Sequence, residues 1–327
     1  MTNPFDIEEI FPDEAAGSVR LPRRQSGSAP QGLTVTLLAD YTLGTRASVP
    51  SAAIVALLAE FGVGPAGARA AISRLARRGV LSGGRYGRHS SYRLSEAAAL
   101  NLSAGGRRIV ASAAEVDRWD EGWTLIAFSL PQEEGTQRRA LRAQLRWLGY
   151  APLYDGLWIS PHALAKQTTA QLTQLSLGAL TVFRARHVEL DAVTRRDPLS
   201  AWDIAAIAEH YASFIRRWTP LLPRIRAGDL GGAEAVRART EVMDTYRRFP
   251  VLDPRLPLRL LPPGWLREPA REVFVAVYDG LAGPAQDHVR AIAAAFADGE
   301  APDISAHTVA DLLGGVVRPD RTDLIDR

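Results

Sequence analysis

The thirty-one residues from Gly64 to Leu94, GPAGARAAISRLARRGVLSGGRYGRHSSYRL, leave this chain few ways to fold. Gly64-Pro65 is a helix start, because Pro in the first turn gives up an N–H that has no helical partner there. Ala68, Ala71, Ile72 and Leu75 recur at i, i+3, i+4 and i+7, which predicts one buried stripe. The opposite face carries Arg69, Ser73 and Arg77 at four-residue spacing, flanked by Arg74 and Arg78. Gly79 suits the left-handed conformation that closes a helix. Beyond it, Gly83-Gly84 and Gly87 punctuate two short strands that end in Ser90-Ser91-Tyr92-Arg93-Leu94, with Arg85, Tyr86, Arg88 and His89 near the tip.

A small-residue basic helix followed by a basic hairpin is how a winged helix-turn-helix meets double-stranded DNA. The helix enters the major groove and the wing reaches an adjacent groove or the backbone. On this reading Arg77, Arg78, Arg85 and Arg88 contact phosphates, and Arg69, Ser73 and Arg74 face base edges. Tyr86, His89 and Ser90 join them from the wing. The scaffold lies upstream: Leu33, Leu37, Leu38 and Tyr41 mark a first helix, and Ile54, Leu57, Leu58 and Phe61 a second. Gly62-Val63-Gly64 is a turn of the right length between two steeply crossing helices. Between residues 32 and 95 eight arginines stand against two acids, Asp40 and Glu60, while the whole chain carries only +3. Charge runs are commonly just solvated faces. Here the concentration of charge, the helix spacing and the attached hairpin point to nucleic acid.

The 327 residues suffice for two or three domains. There is no cysteine, so disulfides, thiolate zinc sites and thiol sensing are excluded. No apolar run is long enough to span a bilayer, and the N-terminus, with Asp6, Glu8 and Glu9, does not read as a signal peptide. A cytoplasmic protein with no membrane partner is the expectation. Residues 1–30 read as a disordered arm, 31–95 as the winged module and 96–119 as a helical linker interrupted at Gly105-Gly106. The six histidines lack metal-ligand spacing, and no phosphate-binding loop or nucleophile elbow occurs.

Residues 120–196 alternate in the order βαββαβ, a ferredoxin-like sandwich: a strand at Trp123–Leu130, a helix at 134–149, a hairpin turning at Tyr154-Asp155-Gly156, a helix at 161–177 and a strand at 180–190. Residues 197–297 are helical, broken by the proline-punctuated LDPRLPLRLLPPGW from Leu252 to Trp265, whose Leu256, Leu260, Leu261 and Trp265 are expected to pack down. Residues 298–327 read as a peripheral tail. The fold class is thus α+β and multidomain.

RAAISRLARRGVL with GRHSSYRLS resembles the N-terminal module of PaaX-family transcriptional regulators, although Val80 stands where an aromatic is expected. YRRFPVLDPRLPLRLLPPGW resembles their C-terminal domain. The resemblance implies a Cas2-like central domain, a homodimer on a palindromic operator, and repression lifted by an aryl-CoA thioester such as phenylacetyl-CoA. Candidates for such an effector site are Arg184, Arg186, Arg247, Arg248 and Trp158, with no cofactor besides the acyl-CoA effector. Cas2-like nucleases hold a metal with an Asp at the end of the first strand. Here that strand ends Phe128-Ser129-Leu130, so no enzyme and no metal site are expected. Two alternatives stay open: a non-catalytic architectural or adaptor protein on nucleic acid, and a Cas2-like metal nuclease.

Overall fold

A computed structural model describes residues 30–86, 89–111, 119–129, 141, 142, 144–146, 148–164, 180–188, 197–253, 255–297 and 299–317; of Tyr86 and His89 it describes the backbone only. The chain forms two compact units, one drawn from within residues 1–111, 214–247 and 269–327, the other from within 112–213 and 248–268.

The first unit begins with α1 (Pro30–Thr42), β1 (Val49–Pro50), α2 (Ser51–Ala59) and α3 (Pro65–Arg77), then the hairpin β2 (Leu81–Tyr86) and β3 (His89–Leu94). Most of the stripes read from the sequence are buried: Leu37, Leu38 and Tyr41 on α1, Ile54, Leu57 and Leu58 on α2, and Ala68, Ala71, Ile72 and Leu75 on α3, while Leu33 and Phe61 are half-buried. Each fully buried leucine contributes about 1.5–3 kcal/mol, so this three-helix core is substantial for its size. Gly79 takes φ 71°, and Val80 N–H donates back to the Leu75 carbonyl at 3.0 Å, closing α3. β2 and β3 pair antiparallel from Leu81–Leu94 to Tyr86–His89. The two-residue β1, too short to leave a sequence signal, adds to β3 and gives the order β1-β3-β2.

α4 (Glu96–Ala111) follows, and it runs straight through Gly105-Gly106. The expected interruption is absent because both glycines are buried and a Cβ on Gly106 would lie 2.7 Å from Leu312 Cδ2. The pair lets another element approach closely; it does not break the helix. That element is α11 (Val309–Gly314), in the stretch expected to be peripheral. Ile304, His307, Val309 and Leu312 are buried, so this stretch contributes core. Between them in sequence come α5 (Ile204–Trp218), whose residues the two units share, α6 (Leu222–Ala227), α7 (Gly232–Tyr246), α8 (Phe249–Leu252), α9 (Arg267–Gly280) and α10 (Ala282–Ala295).

The N-terminal helices and hairpin are welded to these later helices within the unit. Arg239 on α7 is fully buried, stacked 3.7 Å above the Tyr278 ring and donating to the carbonyls of Tyr278 and His307. Tyr278 Oη donates to Asp40 Oδ1 of α1 at 2.8 Å and meets His307 Nε2 at 3.0 Å. Ser305 N–H donates to the Tyr41 carbonyl at 3.0 Å, and Thr45 Oγ1 to the Asp303 carbonyl at 2.8 Å. Buried polar groups are tolerated when hydrogen-bonded, and these bonds cross from the first forty-five residues to the last.

The second unit is built on a four-stranded antiparallel sheet of β4 (Gly122–Phe128), β5 (Ala151–Tyr154), β6 (Leu157–Ser160) and β7 (Leu180–Arg186), ordered β5-β6-β4-β7. Both faces are covered. Ile126 and Trp158 pack with Leu141, Leu145 and Tyr150 on one side. Trp123, Leu153 and Ile159 pack with Trp119, Leu199, Trp202 and Leu260 on the other. The two helices expected between these strands lie largely outside the described residues. The proline-punctuated segment does pack down: Leu256 and Leu261 are buried, although Leu258 is half exposed. Its anchor is the Asp253 side chain, which accepts from Tyr211 Oη, Trp265 Nε1, Arg267 and the Leu256 N–H.

Candidate nucleic-acid interface

The outer face of α3 is a strip of exposed Ala66, Arg69, Ser73 and Arg77, with Arg74 and Arg78 exposed on its flanks. Residues 65–77 hold no acid, so the strip has no internal partner for its cations. The local charge balance is more one-sided than the sequence count. Asp40 is 3% exposed and buried behind α1, and Glu60 is turned inward onto His288, Oε1 to Nε2 at 2.6 Å. The two carboxylates counted against the eight arginines are therefore withdrawn from the surface.

Gly64 starts α3 without a side-chain cap and with Pro65 in the first turn, leaving early backbone N–H groups free for an anion. On the β2-β3 hairpin, Arg85 and Ser90 are cross-strand partners and both are exposed. Ser91, one residue on, is buried, as the two-residue period of a strand requires. Arg88 lies outside the described residues, and of Tyr86 and His89 only the backbone pairing is described. Arg78 Nη1 reaches Gln31 Oε1 at 3.5 Å. The structure thus gathers Arg69, Ser73, Arg74, Arg77 and Arg78 on one helix and Arg85 and Ser90 on the hairpin that follows it.

Of the residues expected to hold an effector, Arg184, Arg247 and Trp158 are engaged within the fold. Arg184 donates to Thr124 Oγ1 at 2.9 Å and to the Pro161 carbonyl at 3.3 Å, and it pairs with Asp120. The Gly122 N–H and this guanidinium hold the Asp120 carboxyl below its usual range. Arg184 therefore braces the sheet end. Trp158 is 2% exposed in the sheet core with Arg146 over its ring at 5.6 Å. Arg247 is paired with Asp244, while Arg186 and Arg248 are exposed. Arg247 belongs to the first unit; Arg184, Arg186, Arg248 and Trp158 belong to the second. Periodicity cannot show that an arginine is already bonded inside the fold.

Among the described residues there is no group of three or more His, Asp or Glu side chains placed to hold a metal, and no helix long and apolar enough to cross a membrane.

Comparison with known proteins covers most of the chain. Residues 29–98 match the family model for PaaX-like protein, residues 116–195 that for the PaaX protein central Cas2-like domain, and residues 202–291 that for the PaaX-like protein C-terminal domain. The transcriptional repressor PaaX of Escherichia coli (strain K12) is 28% identical over 237 residues, covering 70% of this chain and 73% of that protein. A solved structure, uncharacterized protein Rv0674 from Mycobacterium tuberculosis, aligns over 80% of this chain and 98% of its own at 20% identity with a TM-score of 0.49.

Proposed function

Since this chain belongs to the PaaX family, we propose that it is a sequence-specific DNA-binding transcriptional repressor whose N-terminal elements form a winged helix-turn-helix. The observation that carries the reading is the single-sided α3, with Ala68, Ala71, Ile72 and Leu75 buried while Arg69, Ser73 and Arg77 face out beside a hairpin. Three helices followed by β2-β3, with β1 added to β3, support the winged arrangement. The antiparallel order β5-β6-β4-β7 supports a ferredoxin-like βαββαβ domain in the second unit.

The mechanism is repression by occupancy. A homodimer places two copies of α3 in successive major grooves, with half-sites about one helical turn (~34 Å) or a multiple apart. Arg77, Arg78, Arg85 and Arg88 set affinity through phosphates, and Arg69, Ser73 and Arg74 read base edges. An aryl-CoA thioester, by the family's example phenylacetyl-CoA, lifts repression by binding better to a dimer geometry that no longer fits the operator spacing. The protein acts in the cytoplasm and catalyses no reaction.

The test is binding to DNA from upstream of the protein's own gene, at fixed salt, with random DNA as competitor, with and without phenylacetyl-CoA. Specific binding that falls with the thioester is the expected result. Specific binding indifferent to the thioester rejects that effector and keeps the repressor. Binding that random DNA competes away equally rejects sequence-specific repression and favours an architectural role.

A further inference from the structure

At the base of the hairpin the first unit holds an open cleft of about 500 Å³, lined by Arg46, Ser82, Arg93, Leu94, Glu96, Leu100 and Val317. It forms where the loop after α1, the β2-β3 hairpin, the first turns of α4 and the segment after α11 meet. Val317 is fixed there by Ser103, whose hydroxyl accepts from the Val317 N–H at 2.9 Å and donates to its carbonyl at 3.2 Å.

Arg46 is the unusual residue. It holds φ 58°, a left-handed conformation that non-glycine residues rarely adopt. Its guanidinium is half-buried and donates to the Leu94 carbonyl at 3.3 Å, but its Nε is buried with no acceptor. That bond and the burial of Nε hold the guanidinium in place beside the cleft as a pre-positioned cation. Arg93 supplies a second exposed guanidinium to the same cleft, opposite Ser82 in the hairpin register. Glu96 offsets one of the two cations, so the lining carries a single net positive charge. Leu100 and Val317 add a smaller apolar part to a mainly polar wall.

We infer that this cleft is a binding site for a small organic monocarboxylate, its head on the Arg46 and Arg93 forks and its apolar body against Leu100 and Val317. A monoanion neutralises the lining, whereas a doubly charged phosphate meets Glu96 with surplus charge. The cleft is small for a CoA thioester, so this site is separate from the effector proposed above. Because Ser82, Arg93 and Leu94 belong to the wing strands, occupancy biases the wing; that consequence, and only that, rests on the wing binding DNA.

Calorimetric titration of the full chain, without DNA, tests the site with three probes: benzoate, benzyl alcohol and inorganic phosphate. The expected result is one benzoate per chain, with benzyl alcohol and phosphate each at least about tenfold weaker. Arg93→Ala should weaken benzoate about tenfold, and Glu96→Gln should tighten it. Arg46→Gly should weaken it about tenfold without lowering the melting temperature, because glycine accepts the left-handed backbone. No benzoate binding at millimolar concentration overturns the site, as does equal binding by Arg46→Gly and the parent protein. Phosphate binding as tightly as benzoate overturns the organic ligand, since a bare oxyanion has no use for the apolar part of the wall. None of these outcomes depends on DNA binding, which a separate salt titration with operator DNA reads.

Discussion

Arg267 meets Asp253 fork to fork, Nε to Oδ2 at 2.8 Å and Nη2 to Oδ1 at 2.7 Å, around a carboxylate side chain with no exposed surface. Tyr211 Oη and Trp265 Nε1 complete the shell at 3.0 Å each, and the Leu256 N–H adds a fifth donor. The segment between Leu252 and Trp265, with few backbone hydrogen bonds of its own, is thus drawn around one side chain. Asp253→Ala strands Arg267 and deprives Tyr211, Trp265 and the Leu256 N–H of their shared acceptor, so it should cost about 3–5 kcal/mol. Chemical denaturation measures this, and a cost under about 1 kcal/mol would show that the segment is held by its leucines alone.

Arg69 and Arg85 should fail differently. Arg69→Ala removes a side chain from the outward face of α3 and should cost about 1–3 kcal/mol on operator DNA but little on random DNA. Arg85→Ala removes a wing cation and should weaken both DNAs alike, reducing the salt slope by about 1. Equal losses on both DNAs for both variants would sink the division of labour between helix and wing.

Two glycines with φ above 70° separate conformational strain from crowding. At Gly79, φ 71°, an added Cβ meets nothing within 4 Å, so Gly79→Ala should cost about 1 kcal/mol. At Gly156, φ 74°, the Cβ would sit 2.8 Å from the Phe128 carbonyl oxygen, and the Phe128 N–H already donates to the Gly156 carbonyl at 2.9 Å. That backbone contact cannot swing aside. Gly156→Ala should cost clearly more than Gly79→Ala in thermal unfolding, and equal costs would refute the steric account.

The cluster around Tyr278 sets two opposed pH dependences. Burial, against the attraction of Arg239 and the hydrogen bond from Tyr278, pushes the Asp40 carboxyl up from 3.8 to about 6. Burial, with Arg239 beside it, pushes His307 down from 6.5 to about 3. A carboxyl raised on folding contributes stability below its unfolded pKa, and the contribution is lost as the pH rises through 6. An imidazole depressed on folding contributes stability above its unfolded pKa, and the contribution is lost as the pH falls through 3. Between about pH 4 and 6 the slopes oppose. Asp40→Asn should therefore make stability climb more steeply with pH across that window. His307→Gln should flatten or reverse the climb. Denaturation midpoints at several pH values decide it, and three parallel profiles would refute the assignment.

Much of the first unit was legible because helix stripes depend on local spacing. Ala68, Ala71, Ile72 and Leu75 obey a 3.6-residue period whether or not a neighbour is known, and Gly79 ends α3 by its own conformational freedom. What the sequence hid were close approaches and buried polar pairs. Gly105-Gly106 reads as a break in isolation and as a contact only when Leu312, two hundred residues on, is placed against it. Arg239 looks like any arginine on an amphipathic helix, and no periodicity shows that Tyr278, Asp40 and His307 converge on it. The exposed face of α3 was readable for the opposite reason: its exposure follows from the helical period alone. Arg184 and Trp158, chosen as ligand residues by type, are engaged within the sheet.

The chain passes between its two units four times, after residues 111, 213, 247 and 268. On the ribosome the basic helix α3 therefore emerges long before α7, α9 and the segment around His307 that close over Asp40 and Tyr41. The nascent module must hold its place with an unfinished core until α9 and the segment around His307 have followed it out. A chain cut after α4 would leave those apolar surfaces bare, so competence to fold arrives with residues 232–312 rather than with the first hundred.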